Sequence, residues 1–198
     1  MLVAVVLAAG AGSRFRGAEH KLVTPVSGAA GTRPLVEHAI VHALEAGVGP
    51  VVVVTGAAEL GLPTELAAAV SVAANPRWAD GQATSLEVGL DAARALGADA
   101  VIVGLGDQPG VPPDAWRAIA GAPADWPVVI ASYDGRRGPH PVRLHRSVWP
   151  MLAPAGDGRD DGARALLREH PGLVHEVPCP GTAADIDTLE DVQRWKSS

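Results

Sequence analysis

The sequence has a single cysteine, Cys179, among its 198 residues. One cysteine can form neither an intramolecular disulfide nor a cysteine-rich metal site, as suits a reducing cytoplasm. Clustered basic residues are also missing, because 16 lysines and arginines are outnumbered by 22 acidic residues and the formal net charge is −6. Nucleic-acid surfaces need concentrated positive charge, so the composition argues against DNA or RNA and favours a small-molecule partner.

Long hydrophobic runs are missing as well, since no stretch approaches the roughly 20 apolar residues that a membrane span requires. Residues 1–12 are largely apolar but lack the basic start of a signal peptide, and their apolar run is about as long as one buried strand. We therefore expect a first strand here, in a cytoplasmic protein that contacts no membrane.

Short valine-rich runs recur without the polar alternation of a half-exposed strand. They lie at Leu2–Leu7, Val51–Val54, Val101–Leu105 and Val128–Ile130. The helical patterns between them lie at Leu35–Ala46, Leu62–Ala69, Thr84–Leu96 and Asp114–Ala120. This alternation predicts an α/β fold, a three-layer sandwich around a mostly parallel, doubly wound sheet, in one domain over residues 1–198.

The pattern loosens after Asp134, where residues 135–144 predict an antiparallel excursion. The remaining expected elements are helices near Ser147–Leu152 and across Asp161–Glu169, a strand at Leu173–Val177 and a closing helix from Thr188. In doubly wound sheets ligands bind beyond the carboxyl ends of the strands, so we expect the functional residues just after strands.

A glycine-containing loop follows the first strand directly. Small residues at Gly10 and Gly12 let the backbone approach a ligand, and successive N–H groups in such a turn bind anions. Arg14 and Lys21 can then hold the β- and γ-phosphates of a triphosphate. Two other phosphate loops fit less well: the third glycine of a dinucleotide fingerprint is replaced by Phe15, and the Gly-Lys-Ser/Thr of a Walker A loop is absent.

A carboxylate ends the apolar strand at 101–105. Asp107 follows Gly106, which permits close approach, and precedes Gln108 and Pro109, the latter stiffening the exit. A carboxylate at a strand end can hold Mg²⁺, which prefers one or two carboxylates, water and substrate phosphates. The sequence therefore predicts a magnesium site at Asp107.

A second acidic segment precedes the closing helix. Glu190 and Asp191 suit the first turn of that helix and are predicted to be structural. Asp185 and Asp187 are two residues apart and share one face of an extended segment, so either one can complete a metal site with Asp107.

Two further segments leave alternatives open. Residues 75–86 form a polar, glycine-containing approach to a helix whose N-terminus can receive a base edge or a phosphate, and Trp78 lines a pocket there or covers the core. Residues 135–141 bring two arginines and His140 into a loop that suits an anionic acceptor or is simply a solvated turn.

Taken in order, these residues resemble the molybdenum cofactor cytidylyltransferases, among the Rossmann-like nucleotidyltransferases of the nucleotide-diphospho-sugar transferase type. The likeness spans nearly the whole chain. The matching elements are the nucleotide loop at Leu7–Arg14 with Lys21, the nucleobase segment from Asn75 to Leu86, the Gly-Asp-Gln-Pro at Gly106–Pro109, the loop at Gly138–Pro141, the Gly-Ala-Arg at Gly162–Arg164 and the Asp-Ile-Asp-Thr at Asp185–Thr188. The loop from Arg14 to Lys21 is longer than the family's usual one, which leaves the alignment of Gly17 open. Extra residues before Gly162 leave open which of Asp157, Asp160 and Asp161 matches the family's aspartate.

The resemblance implies transfer of CMP from CTP to a phosphorylated acceptor, molybdopterin cofactor, with Mg²⁺ bound and pyrophosphate released. The Ala8-Ala9-Gly10 sequence favours CTP, because in the family Leu-Ala-Ala-Gly accompanies cytidine transfer and Leu-Ala-Gly-Gly guanosine transfer. A molybdoenzyme or its chaperone is the implied transient partner.

The resemblance also implies site residues. The implied nucleotide-binding residues are Leu7, Ala8, Ala9, Gly10, Gly12, Ser13, Arg14, Lys21, Asn75, Gly81, Ser85 and Asp107. The implied acceptor-binding residues are Gln108, Pro109, His140 and Arg164, and Arg14, Lys21 and Asp107 are the candidate catalytic residues.

Other functions stay open at this point. The same fold serves enzymes with another base or acceptor, such as guanylyltransferases acting on the cofactor or on phospholactate, and sugar-phosphate nucleotidyltransferases. A nucleotide-binding protein without catalysis also fits, since fold does not guarantee chemistry. An NAD-linked oxidoreductase is disfavoured, because the glycine fingerprint is incomplete and Glu37 lies within the first helix rather than after a second strand.

Overall fold

Strands and helices alternate along the computed structural model, which describes residues 1–28, 31–152 and 163–196. The strands are β1 (Leu2–Ala8), β2 (Pro25–Gly28), β3 (Gly31–Pro34), β4 (Val51–Thr55), β5 (Ser71–Ala74), β6 (Ala100–Leu105), β7 (Val128–Tyr133), β8 (Arg136–His145) and β9 (Val174–Pro178). The α-helices are α1 (Leu35–Ala46), α2 (Thr64–Ala69), α3 (Gln82–Ala95), α4 (Pro113–Ala120), α5 (Arg164–Glu169) and α6 (Leu189–Lys196). Short 3₁₀ helices lie at Lys21–Val23, Trp78–Asp80, Arg146–Met151 and Pro171–Leu173.

Among the described residues, the main sheet has seven strands in the order β5-β4-β1-β6-β8-β7-β9, and β2 and β3 form a separate antiparallel pair. Neighbouring strands from β5 to β6 pair in parallel, as do β7 and β9, whereas β8 is antiparallel to both of its neighbours. The predicted mostly parallel, Rossmann-like α/β fold is confirmed. The antiparallel excursion expected after Asp134 is strand β8, so the prediction of a loop or solvated turn at residues 135–141 is wrong for Arg136 onward, and His140 is a buried strand residue.

Side chains of β1 alternate between two apolar layers. Ala4, Val6 and Ala8 pack with residues of α1 and α4, while Val3, Val5 and Leu7 pack with residues of α3 and α5. Both faces of the strand are therefore covered, which explains its unbroken apolar run. β6 shows the same arrangement, with Ile102 on the first face and Val101 and Val103 on the second.

The central elements lie close to the predicted positions, and the peripheral ones differ. α3 begins at Gln82 rather than Thr84, and the helix expected near Ser147 is a 3₁₀ helix. The β2–β3 pair and edge strand β5 were not predicted, because each strand has only four residues; β2 and β3 carry no apolar run, and the apolar residues of β5 are mostly exposed. Asp157, Asp160, Asp161 and Gly162 lie outside the described residues. Within the described ranges, no helix has the length and apolar character needed to cross a membrane.

Candidate active site

The carboxyl ends of β1 and β6 meet at one edge of the sheet. The two strands pair in parallel from Leu2 opposite Ala100 to Leu7 opposite Leu105. Just beyond them, the Gly106 N–H donates to the Leu7 carbonyl at 2.9 Å. This register brings the glycine loop after β1 and the Gly-Asp turn after β6 side by side, as ligand sites in doubly wound sheets require.

Gly12 and His20 fix the conformation of the long loop after β1. Gly12 has a φ of +61°, and a β-carbon there would lie 3.0 Å from Lys21 Cγ. His20 Nδ1 accepts the Leu22 N–H at 3.3 Å, so the proton sits on Nε2, which donates to the Gly10 carbonyl at 3.0 Å. His20 was not singled out from the sequence, because it lies in the stretch by which this loop exceeds the family's usual length.

Lys21 lies between two carboxylates. Its ammonium donates to Asp107 Oδ2 at 2.6 Å and to Asp187 Oδ1 at 2.8 Å, and the residue is only 8% exposed. Burial lowers the Lys21 pKa, but the charges and hydrogen bonds of Asp107 and Asp187 outweigh it, so the pKa is raised above its usual value. Lys21 is therefore a fixed positive charge at neutral pH.

Arg14 contacts Asp187 from the solvent side. Its guanidinium lies 2.8 Å from Asp187 Oδ2, while its side chain is 76% exposed. Such a pair is weak on the arginine side, because water competes for the exposed guanidinium. Arg14 can therefore exchange Asp187 for a phosphate at low cost.

The second oxygen of Asp107, Oδ1, is buried and receives no hydrogen bond from any described residue. A buried carboxylate oxygen without a donor is costly unless a cation or another donor satisfies it. No three His, Cys, Asp or Glu side chains of the described residues converge into a metal cluster. Two carboxylates with substrate phosphates are nevertheless what Mg²⁺ uses, and Asp107 and Asp187 share one ammonium and fit that donor set.

Asp185 has a different hydrogen-bond partner, Gln108. The Gln108 amide donates to Asp185 Oδ1 at 2.8 Å and to the Ala183 carbonyl at 3.0 Å. Burial, together with the negative charges of Asp107 and Asp187, raises the Asp185 pKa. Gln108 itself is 1% exposed, so it holds the Asp185 segment against the end of β6 from beneath the cleft surface.

A cleft of about 470 Å³ opens above these residues. The predicted residues that line it are Leu7, Ala9, Gly10, Ser13, Arg14, Lys21, Gly81, Ser85, Asp107, Arg164, Asp185 and Asp187. Those that do not line it are Ala8, Gly12, Asn75, Gln108, Pro109 and His140. The lining residues that were not predicted are Ala11, Ala79, Gln82 and Leu105, all next to predicted positions. Trp78 does both of the things left open, because it lines the cleft and packs against the core.

The start of α3 borders the cleft, and Asn75 supports it from below. Gly81 precedes the helix with a φ of +113°, a conformation that favours glycine. Asn75 donates to the hydroxyls of Thr84 and Ser85 at 2.8 and 2.9 Å and accepts the Arg77 N–H at 2.9 Å. With 2% exposure and both ends of its amide in use, Asn75 fixes the segment instead of facing the cleft.

His140 lies in a smaller side pocket of about 40 Å³ that shares Leu7, Gln82 and Arg164 with the cleft. Burial, with a smaller contribution from the Arg164 charge, lowers the pKa of His140 to about 3. No described residue hydrogen-bonds its buried Nδ1. His140 is therefore neutral at physiological pH, and the pocket offers an uncharged imidazole next to the Arg164 guanidinium.

Several solved structures share this fold over the whole chain. A nucleotidyl transferase from Methanothermobacter thermautotroptrophicus (Mth528) is 28% identical with a TM-score of 0.79, covering 100% of this chain and 96% of that one. Rv0371c from Mycobacterium tuberculosis H37Rv is 25% identical with a TM-score of 0.76, covering 100% and 98%. A manganese complex of Rv0371c, at 24% identity, a TM-score of 0.71 and the same coverage, shares the fold too.

The sequence comparisons agree with the fold. The purine catabolism protein PucB of Bacillus subtilis (strain 168) is 33% identical over 115 residues, or 56% of this chain and 54% of PucB. The match thus spans about half the length of that curated relative. A family model described as the MobA-like NTP transferase domain matches residues 4–174, which is most of the chain and includes β1, β6 and the Lys21 loop. The chain therefore belongs to the family of the MobA-like NTP transferase domain.

Proposed function

We propose that this chain is a nucleotidyltransferase that moves a nucleoside monophosphate from a nucleoside triphosphate to a phosphorylated small molecule and releases pyrophosphate. The observation that carries the proposal is the buried Lys21 ammonium, held by Asp107 and Asp187 at the floor of a cleft that the glycine loop borders. Family membership supports the same reaction class.

Triphosphate binding is supported by the charges and the backbone at the cleft. The Arg14 guanidinium is exposed to water and pairs with Asp187 only weakly. Phosphate oxygens can therefore replace Asp187 as its partner. The main chain at Gly10 is open to a ligand, since a β-carbon there would contact nothing within 4 Å. Together these groups provide a cradle for the β- and γ-phosphates.

A divalent cation is part of this proposal, with Asp107 and Asp187 as the residues that hold it. Three basic and three acidic side chains line the cleft, so their formal charges balance. The basic ones are Arg14, Lys21 and Arg164, and the acidic ones are Asp107, Asp185 and Asp187. A triphosphate would bring several uncompensated negative charges into this neutral cleft, which Mg²⁺ would offset. When bound, the cation neutralises charge that develops on the phosphates during transfer. Rv0371c, for which a manganese complex is known, makes Mn²⁺ a useful probe.

The chain's own residues act mainly by alignment and charge. An acceptor phosphate oxygen attacks the α-phosphorus, the bond from that phosphorus to the bridging oxygen breaks, and pyrophosphate takes the electron pair. Arg14 and Lys21 stabilise the leaving pyrophosphate. The acceptor phosphate is already ionised, so no protein base is required. We assign Arg164, which borders both the cleft and the side pocket with His140, to the acceptor.

We further propose CTP as the nucleotide and molybdopterin cofactor as the acceptor, by resemblance to the cytidylyltransferases. The Ala8-Ala9-Gly10 sequence supports cytidine. Ala9 is 2% exposed, and its β-carbon packs beside Gly56, where Trp78 also packs. This methyl group fills space in the wall between the glycine loop and the proposed base segment, which favours the smaller pyrimidine.

Pyrophosphate release tests the proposal. The purified protein is incubated with Mg²⁺ and each of CTP, GTP, ATP and UTP, with and without molybdopterin cofactor, and with chelator as a control. Release with CTP only in the presence of the acceptor supports the full proposal, and release with GTP instead would overturn the base assignment. Failure of all four nucleotides with this acceptor, while one still binds in a Mg²⁺-dependent way, would overturn the acceptor assignment alone.

A further inference from the structure

The Lys21 ammonium occupies the place where a cation shared by Asp107 and Asp187 would lie. It donates to one oxygen of each carboxylate, at 2.6 and 2.8 Å, and its side chain is 9% exposed. A divalent cation would require oxygens of these same two side chains. Two positive charges a few ångströms apart in a poorly solvated site repel each other strongly, so both cannot be held at once in this geometry.

We propose that Lys21 acts as an internal stand-in for the divalent cation: it blocks Asp107 and Asp187 in the nucleotide-free protein, and the cation enters only together with the triphosphate. This inference rests on the proposed function, since the triphosphate is what draws the ammonium away. Phosphate oxygens offer Lys21 new partners of the same charge as the carboxylates, so its displacement leaves no buried unpaired cation.

The neighbouring contacts make this exchange possible. When the triphosphate draws Lys21 and Arg14 away, both oxygens of Asp187 lose their basic partners and become available to the cation. Asp107 already has an unpartnered buried oxygen, Oδ1, which no described residue satisfies. The carboxylates are therefore poised for a cation, and Lys21 decides when it can bind. The protein would bind Mg²⁺ weakly by itself and strongly with nucleotide, so that the cation and nucleotide bind cooperatively.

The first test measures Mn²⁺ binding to the nucleotide-free protein, by the electron paramagnetic resonance signal of free Mn²⁺. Lys21→Met removes the competing charge and keeps the apolar stem, and we expect its Mn²⁺ affinity to be roughly tenfold or more above that of the wild type. Arg94→Met, which removes an exposed arginine paired with Asp91 away from the cleft, is the matched control and should leave Mn²⁺ affinity unchanged. Equal or weaker Mn²⁺ binding by Lys21→Met would overturn the inference. Adding Asp107→Asn to Lys21→Met should abolish the gain, and a gain that survives this change would place the cation elsewhere.

A second measurement needs no variant beyond the one used for signal assignment. Nuclear magnetic resonance of ¹⁵N-labelled lysine side chains should detect the paired Lys21 ammonium as a slowly exchanging signal. We expect Mg²⁺ alone to leave it unchanged and Mg²⁺ with a non-hydrolysable CTP analogue to shift it. Displacement by Mg²⁺ alone would overturn the inference even if Lys21→Met fails to fold. Both tests are independent of turnover, so a protein that releases no pyrophosphate would overturn the proposed function without deciding the role of Lys21.

Discussion

Two polar clusters border the cleft, and they use their hydrogen bonds in opposite ways. In the first, Lys21 and Asp107 are paired with other charged groups that face the cleft. In the second, the buried Asn75 amide donates to the Thr84 and Ser85 hydroxyls and accepts a backbone N–H, below the surface of the cleft. A ligand can replace the partners in the first cluster, whereas replacing those in the second would unfold the segment. Polar residues near the cleft therefore divide into two groups. Those with charged partners that face the cleft can exchange them for a ligand, and those bonded to buried protein groups cannot.

The largest expected effect is a loss of turnover at Asp107. Asp107→Asn keeps the shape but removes the charge that faces the proposed cation, and we expect the rate of pyrophosphate release to fall by about 10²–10³-fold or more. The melting temperature should change little, because Lys21 retains Asp187. Asp114→Asn, which removes a surface carboxylate paired with Arg117, is the control for a general charge effect. Wild-type turnover in Asp107→Asn would remove this residue from the site.

Lys21→Ala should affect nucleotide binding more than the fold. It removes one charge-assisted phosphate contact, which is worth about 1.5–3 kcal/mol, so we expect NTP affinity to fall by roughly 10- to 100-fold. A calorimetric titration with a non-hydrolysable CTP analogue in the absence of divalent cation measures this change, because removal of Lys21 would also free the proposed cation site. If the affinity stays at the wild-type value, the phosphates bind away from Lys21 and the exchangeable cluster is misidentified.

Asn75→Ala should show the reverse pattern. It leaves the buried Ser85 hydroxyl and the Arg77 N–H without their amide partner, which costs about 1–3 kcal/mol of stability. Thermal unfolding should detect this as a lower melting temperature, by roughly 2–4 °C per kcal/mol in a chain of this size. The comparison fails if this variant keeps full stability but loses nucleotide affinity, because Asn75 would then belong with Lys21.

The effect at His140 is expected to be smaller and concerns a buried imidazole whose Nδ1 no described residue hydrogen-bonds. Its folded-state pKa is lowered from 6.5 to about 3, so the stability it contributes is present above pH 6.5 and is lost as the pH falls toward 3. Between pH 7 and pH 5.5 this loss amounts to about 1 kcal/mol. Urea unfolding measures the free energy of unfolding at each pH. For His140→Asn, this free energy should fall less steeply as the pH is lowered than it does for the wild type. Parallel pH profiles would mean that His140 titrates normally in the folded protein.

The sequence predicted the centre of the fold well, because burial on both faces leaves a direct trace. β1 and β6 appear as unbroken apolar runs, and Asp107 is conspicuous as the first charge after one of them. Edge strand β5 has only four residues, which are mostly exposed and pair on one side only, so its short apolar run does not stand out from the alanines of the preceding helix. In this chain, the pattern of apolar residues predicted the strands whose two faces both pack against the core.

Side-chain direction was the harder part of the site. Gln108 and Asn75 have the residue types of ligand contacts, yet each donates to protein partners that are distant in sequence or lie across a turn. Gln108 contacts Asp185 across a separation of 77 residues, which no local pattern encodes. Gln82 was included only in the segment 75–86 and was not predicted as a site residue, because its neighbours do not show that α3 begins there and turns it toward the cleft.

The proposed function requires that a nucleoside triphosphate binds above Lys21 at the carboxyl edge of the sheet. A crystal structure with Mg²⁺ and a non-hydrolysable CTP analogue would locate the nucleotide. We expect the phosphates along Gly10–Arg14, the cation on Asp107, and the Lys21 ammonium drawn toward the phosphates. A nucleotide bound elsewhere, for example in the pocket of about 340 Å³ lined by Met1, Trp126 and Arg143 at the other end of the strands, would contradict the account.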